Sequence, residues 1–199
     1  MNGFLDRPTQ DLLDLFAAGK NTPGAGSAAA LAGALAGSLI QSVALYTLRA
    51  AEKKGDQEPL RERAEAILDE ARRLSERLRA AVDADAAAFD EFWKMRANRD
   101  MEKEKALRRA IDIPTSIADD CLALAGLALE LHEKGFKNAQ GEAAAAALSA
   151  LANGEAALYA ARVNLKFITA GRWADAKLAE AGALRRRLRE VRGWMEERL

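Results

Sequence analysis

NTPGAGSAAALAGALAGSLIQSVALYTL, residues 21–48, decides how the rest of the chain must be arranged. Pro23, Gly24 and Gly26 break the chain, Ser27 follows, and no charge appears before Arg49. Ser27 is a natural N-cap, because its hydroxyl can accept from backbone N–H groups two or three residues on. Gly33 and Gly37 form a GxxxG pair among alanines, a smooth face that lets a second helix approach closely. The stretch predicts a central buried helix from Ser27 to about Lys54, with its amino terminus open as a partly positive seat for an anion. A plain loop and cap is the competing reading of the same glycines. The string GAGSAA also imitates a dinucleotide fingerprint, which requires a strand immediately before it. TQDLLDLFAAG stands there instead, with Leu12, Leu13, Leu15 and Phe16 in a helical pattern, so the Rossmann reading fails.

Composition supports helices throughout. The 199 residues suit one domain with a real core; half are hydrophobic, only 6% aromatic, and there are four prolines. Ala, Leu, Glu and Arg, all strong helix formers, dominate. Thirty basic and thirty acidic side chains balance, which gives no global electrostatic case for nucleic acid or an anionic membrane. The basic run RRRLRE near the C-terminus has acidic neighbours. One cysteine, Cys121, excludes an internal disulfide and suits a reducing compartment. Asp6 and Arg7 come too early for a signal peptide. The central helix approaches spanning length, but its Ala, Gly and Ser content and amphipathic neighbours favour a core helix. The expectation is a cytoplasmic protein without a membrane or nucleic-acid partner.

Outward from the central helix, a first helix should run from Asp6 or Thr9 to Ala18, with Gly19 as its C′ residue. A turn at Gly55–Pro59 leads to a long helix from Glu58 to about Arg96. Its apolar stripe reads Leu60, Ala64, Ile67, Ala71, Leu74, Leu78 and Val82, then Phe89 and Phe92. Continued past Val82, the rhythm lands on Asp85, a carboxylate where an apolar residue is due; Asp83 and Asp90 fall toward the polar side. A charge in such a seam is costly unless paired, hydrogen-bonded or in a wet cleft. A site role, a structural ion pair, or a drifting stripe carried by Ala86 and Ala88 all fit. After a connection at Asn98–Glu102, a fourth helix begins near Lys103, with a kink or restart at Pro114 where Asp112 or Thr115 helps to cap. His132 sits in that helix's last turn, before Gly135, where the dipole favours a cation. A fifth helix, about Gly141 to Thr169, shows a stripe of Ala144, Leu148, Leu151, Glu155, Leu158, Arg162 and Leu165. Gly171 sets off a charged last helix, Arg172 to Leu199, on the surface or at a partner interface. The reading is an all-α, single-domain bundle of about six helices, with residues 1–170 as its body and 171–199 as an appended helix.

Four blocks in this order resemble one known family. They are Asn21-Thr22-Pro23-Gly24-Ala25-Gly26-Ser27 opening an Ala/Gly helix, Asp85-Ala86-Ala87-Ala88-Phe89 on the long helix, Ala110-Ile111-Asp112-Ile113-Pro114, and the stretch from Gly135 to Leu165 ending in Asn164-Leu165. Together they resemble the formiminotransferase-cyclodeaminase C-terminal domain and its free-standing relatives of the methenyltetrahydrofolate cyclohydrolase type, over about Leu12 to Ile168. The resemblance implies an all-α homodimer that binds a reduced folate in a cleft between subunits. It implies cyclisation of 5-formiminotetrahydrofolate with loss of ammonia, or hydrolysis of 5,10-methenyltetrahydrofolate, with no metal and no prosthetic group. The chain departs from the family pattern at Ala25, a glycine in the family loop. Arg49-Ala50 replaces a Gly-Lys pair, with Lys53 and Lys54 a turn later. Gly141-Glu142 replaces Ser-Asp, and Ala160 replaces the first asparagine of the ending.

Such chemistry is proton transfer around a carbon held between two folate nitrogens, and a positioned carboxyl group serves it. Asp85 is the first catalytic candidate and Glu142, in the slot of the family's aspartate, the second. Gly24, Gly26 and Ser27 are candidates to seat an anionic tail or a polar ring edge; Arg49, Lys53 and Lys54 to meet folate carboxylates, or simply to be solvated; Asn164 to hold a heterocycle edge or backbone groups. No His/Cys cluster has metal-ligand spacing. The competing expectation is a redirected, non-catalytic member that binds a small anion or a protein.

Overall fold

The computed structural model describes residues 3–54, 57–97, 101–168 and 171–198. Parts of the expected Gly55–Pro59 turn and Asn98–Glu102 connection lie outside the described residues, as do Thr169, Leu199 and the side chain of Lys54. A short 3-10 turn, Phe4–Asp6, precedes six α-helices: α1 Thr9–Ala17, α2 Ala25–Lys54, α3 Glu58–Met95, α4 Met101–Lys134, α5 Gln140–Leu165 and α6 Arg172–Glu196. A second 3-10 turn, Lys137–Ala139, leads into α5. Helices alone make up the regular structure of the described residues, as the composition demands.

The centre of the bundle is α2. Its buried side is built from Ala29, Ala30, Gly33, Ala36, Gly37, Ile40, Val43 and Ala44, and it packs against α3, α4 and α5. The GxxxG face works as a place of close approach. A methyl group at Gly33 would lie 2.8 Å from Cys121 Sγ and 3.2 Å from Leu78 Cδ1, and one at Gly37 would strike the Ser75 hydroxyl. Both α3 and α4 therefore sit against the same small-residue face, and any larger residue there forces them apart. By length and composition α2 could cross a membrane, yet half of its most apolar window is buried inside this bundle.

The contacts of α2 and α5 fix which ends meet. Gly33 faces Leu78 and Cys121, and Gly154 on α5 faces Cys121 from the other side. The N–H of Phe136, just before α5, donates to Thr47 Oγ1 at 3.0 Å. The start of α5 thus lies at the carboxyl end of α2, and its finish lies near the amino end.

Three sequence expectations need correcting. Ser27 does not cap α2: the helix begins at Ala25, and the Ala28 N–H reaches the Gly24 carbonyl at 3.0 Å. Ser27 is inside the first turn and its hydroxyl points elsewhere. Next, α4 is not interrupted at Pro114, which lies inside one helix. Proline leaves the Ala110 carbonyl four residues back without its helical donor, and Asn164 Nδ2 of α5 supplies one at 2.8 Å. Asp112 is no cap either; it pairs with Lys177 of α6 at 2.7 Å. Finally, the leucine-led stripe caught only part of the buried face of α5. Leu151, Leu158 and Leu165 are buried as expected, but with them the core side takes in Ala143, Ala146, Ala147, Ala150, Gly154, Ala157 and Ala161, whereas Leu148 is 57% exposed and Glu155 pairs with Arg192 at 2.9 Å. Gly19, by contrast, has φ +66 and ends α1 as a C′ residue should. The last helix, α6, buries Ala174, Ala181, Leu184, Leu188 and Met195, so it belongs to the bundle.

Candidate functional site

The first turn of α2 and the middle of α3 meet at Asp85. The apolar residues that precede it on α3, Leu74, Leu78 and Val82, are fully buried, and continuing that face carries Asp85 into the core at 8% exposure. Its carboxylate lies directly over the Gly26 backbone: a methyl group there would come within 2.6 Å of Cγ and both oxygens. Only glycine permits that approach. The Ser27 hydroxyl donates to Asp85 Oδ2 at 3.0 Å. The seat at the amino terminus of α2 is thus occupied by a carboxylate of the protein itself.

Among the described residues no cation pairs with Asp85. Burial raises its pKa above the ordinary carboxylate range, while the Ser27 hydroxyl and backbone N–H pull it partly back. Among the described residues it therefore forms no structural ion pair, and Ala86 and Ala88 share the buried face with it rather than replacing it there. Neighbouring carboxylates of α3 anchor the loops around it. Asp83 accepts from the Phe4 N–H at 2.8 Å, and Asp90 accepts from the Thr22 hydroxyl at 3.0 Å. These two loop anchors were not foreseen; the only hint was three aspartates, Asp83, Asp85 and Asp90, within eight residues of one helix.

The other candidates are distributed along the molecule. Gly24 and Gly26 lie with Ser27 and Asp85. Asn164 is at the same end of the bundle, buried, with its amide engaged by the Ala110 carbonyl. Arg49, Lys53 and Glu142 are exposed and stand at the opposite end, near Thr47 and the start of α5. Twenty residues of helix separate Ser27 from Thr47, about 30 Å at 1.5 Å per residue. One copy of the chain therefore does not bring Asp85 and Glu142 together. The Lys54 side chain lies outside the described residues. Among those described, no group of three His, Cys, Asp or Glu side chains is arranged to hold a metal ion.

Comparison with known proteins gives these features a lineage. The family model of formiminotransferase-cyclodeaminase matches residues 8–183, from the start of α1 into α6. The chain belongs to the formiminotransferase-cyclodeaminase family. Within that family it is 30% identical to a methenyltetrahydrofolate cyclohydrolase of Methylorubrum extorquens, over 92% of this chain and 94% of the relative. It also superimposes on the crystal structure of formiminotetrahydrofolate cyclodeaminase from Thermotoga maritima with a TM-score of 0.87, covering 95% of this chain and 93% of that one. At 24% identity this second likeness speaks for the fold. The match extends past the expected end at Ile168 into α6, as the buried side of that helix requires.

Proposed function

We propose that this chain is a one-carbon folate enzyme that hydrolyses 5,10-methenyltetrahydrofolate, with cyclisation of 5-formiminotetrahydrofolate as the alternative reaction of the same site. The cyclohydrolase is placed first because the relative at 30% identity over nearly the whole chain carries that name. The observation that carries the reading is Asp85. A buried carboxylate without a cation costs stability, and keeping one against the first turn of α2 is intelligible when it handles a proton.

The substrate is a cation, so an ionised Asp85 offsets its charge. Water adds to the methenyl carbon while Asp85 accepts one of the water's protons and releases it to solvent. The C–N5 bond then breaks with its electron pair going to N5, and the proton of the new hydroxyl passes to N5, leaving the 10-formyl product. A raised pKa makes Asp85 a stronger base at neutral pH than an ordinary aspartate. Its Ser27 hydrogen bond fixes one oxygen and leaves the carboxylate correctly turned. In the alternative reaction N10 attacks the carbon of the protonated formimino group, the same carboxyl group relays the N10 proton to the amino nitrogen so formed, and ammonia leaves as the methenyl cation closes.

The working unit in this proposal is a homodimer. Residues 25–48 carry no charge, yet Leu35 is 63% exposed and Tyr46 42% exposed, with Leu148 of α5 uncovered as well. A two-fold axis that sets α2 antiparallel to its copy covers this face. It also places Arg49, Lys53 and Glu142 of the second copy beside Ser27 and Asp85 of the first. The folate glutamate tail, the tetrahydrofolate ring and the reacting carbon then find their charged partners in one cleft.

The test is turnover of 5,10-methenyltetrahydrofolate by the purified protein, followed by loss of the methenyl chromophore. Asp85→Asn is expected to lower kcat by about a hundredfold to ten-thousandfold with folate binding retained. Absence of any folate binding to the unaltered protein would end the proposal.

A further inference from the structure

The basic run Arg185-Arg186-Arg187-Leu188-Arg189 is divided by the fold. Leu188 is fully buried, against Gly154 of α5. Arg187 turns to Asp119 of α4, at 3.7 Å. Arg185 and Arg189 turn the other way, into a cavity of about 280 Å³ between α5 and α6 that Arg162 lines from the α5 side. Leu158 and Ala181 give this cavity an apolar floor, and Tyr159, 69% exposed, stands on its wall.

The charges in this cavity do not balance. Glu155 is its only acidic lining residue, and Arg192, which is not part of the lining, holds it at 2.9 Å. Arg162, Arg185 and Arg189 make no ion pair with any described residue. That contrasts with α3, where Arg61, Arg63, Arg72, Arg73 and Arg77 each face a carboxylate. Arg185 and Arg189 are moreover four residues apart on one helix, a like-charge spacing that weakens it. Three guanidinium groups gathered around a walled space, with their one acidic neighbour already neutralised, form a receptor for an anion of more than one charge.

We infer that the α5–α6 cavity binds a phosphate group, through Arg162, Arg185 and Arg189, with the Tyr159 ring available to a flat substituent. Guanidinium forks match phosphate oxygens with paired, charge-assisted hydrogen bonds. Three of them around one space suit a diphosphate better than a single carboxylate. Free pyrophosphate and the diphosphate of a nucleotide share this chemistry and differ only in the ring. The site is separate from Asp85, and its existence does not depend on the folate reading.

Calorimetric titration of the full chain at about 0.1 M salt, where surface charges are screened beyond about 10 Å, tests it with pyrophosphate, ADP and adenosine. Saturable pyrophosphate binding is expected, weakened at least about tenfold in Arg185→Ala/Arg189→Ala. That variant should keep its helical circular dichroism, because both side chains are exposed. Tighter binding of ADP than pyrophosphate assigns a nucleotide stacked at Tyr159; weaker binding of ADP assigns the free diphosphate. No pyrophosphate or ADP binding, equal binding by the variant, or adenosine binding as tightly as ADP overturns the proposal. Methenyl turnover measured in the same variant keeps the two proposals apart, since either can fail while the other stands.

Discussion

Asp85 and Asp120 are both carboxylates inside the bundle, and they illustrate two different solutions to a buried charge. Asp120, on α4, pairs with Arg77 at 2.9 Å, yet its burial outweighs that attraction and pushes its pKa up to about 6. Arg73 also lowers it, while Asp119 and Glu70 raise it. A carboxyl group that holds its proton more tightly when folded favours the folded state at low pH. That advantage is complete below the ordinary aspartate range and is lost as pH rises through about 6. Asp120→Asn is therefore expected to match the parent near pH 4 and to exceed it by about 2 kcal/mol above pH 7; denaturant melts across that range measure it. A gap that stays constant with pH contradicts the account. Asp85 was legible in the sequence because it broke a stripe of larger apolar residues. Asp120 obeys the same logic, three residues after Ile117 and four before Leu124, but with Asp119 beside it the pair reads as surface charge.

At the level of whole helices, the sequence announced the number and order of elements and missed how two of them are completed. Periodicity finds a face only when the buried residues differ clearly from the exposed ones. On α3 they do, and Glu58–Met95 and its stripe were readable. On α5 Leu151, Leu158 and Leu165 did mark the core, but most of the inner face is alanine and glycine, which periodicity does not separate from the outer alanines, and the exposed Leu148 blurred its edge. The continuity of α4 was hidden for another reason: the donor that rescues the Ala110 carbonyl comes from Asn164, fifty-four residues away. That role predicts a coupling. Asn164→Ala leaves a buried carbonyl without a partner and should cost about 1–3 kcal/mol. Pro114→Ala restores a backbone N–H at the position that faces Ala110, so the asparagine loses that task. In the double variant the penalty of Asn164→Ala should shrink to a few tenths of a kcal/mol, and thermal melts of the four proteins in the cycle measure the difference. Equal penalties with and without the proline would show that Asn164 acts elsewhere, on a bound ring for instance.

The molecule as a whole presents its candidate groups at two ends of one helix, and this arrangement says more about assembly than any single residue does. Gly24, Gly26, Ser27 and Asp85 were grouped in the sequence by a loop motif and a broken stripe, and the fold keeps them together. Arg49, Lys53 and Glu142 were grouped with them by family position alone, and about 30 Å of α2 intervenes. A second copy closes that gap under the homodimer proposal, and mixing variants tests it directly. Asp85→Asn and the double change Arg49→Ala/Lys53→Ala should each abolish or strongly reduce turnover as homodimers. Unfolded and refolded together, half of the dimers formed are mixed, and each mixed dimer holds one site with both sets intact and one with neither. About a quarter of the parental activity should return. If each site were complete within one copy, every site in the mixture would still carry one of the two defects and no activity would reappear. Size-exclusion chromatography with light scattering on the same samples confirms that dimers formed, so silence in the assay counts against the shared cleft and not against the refolding.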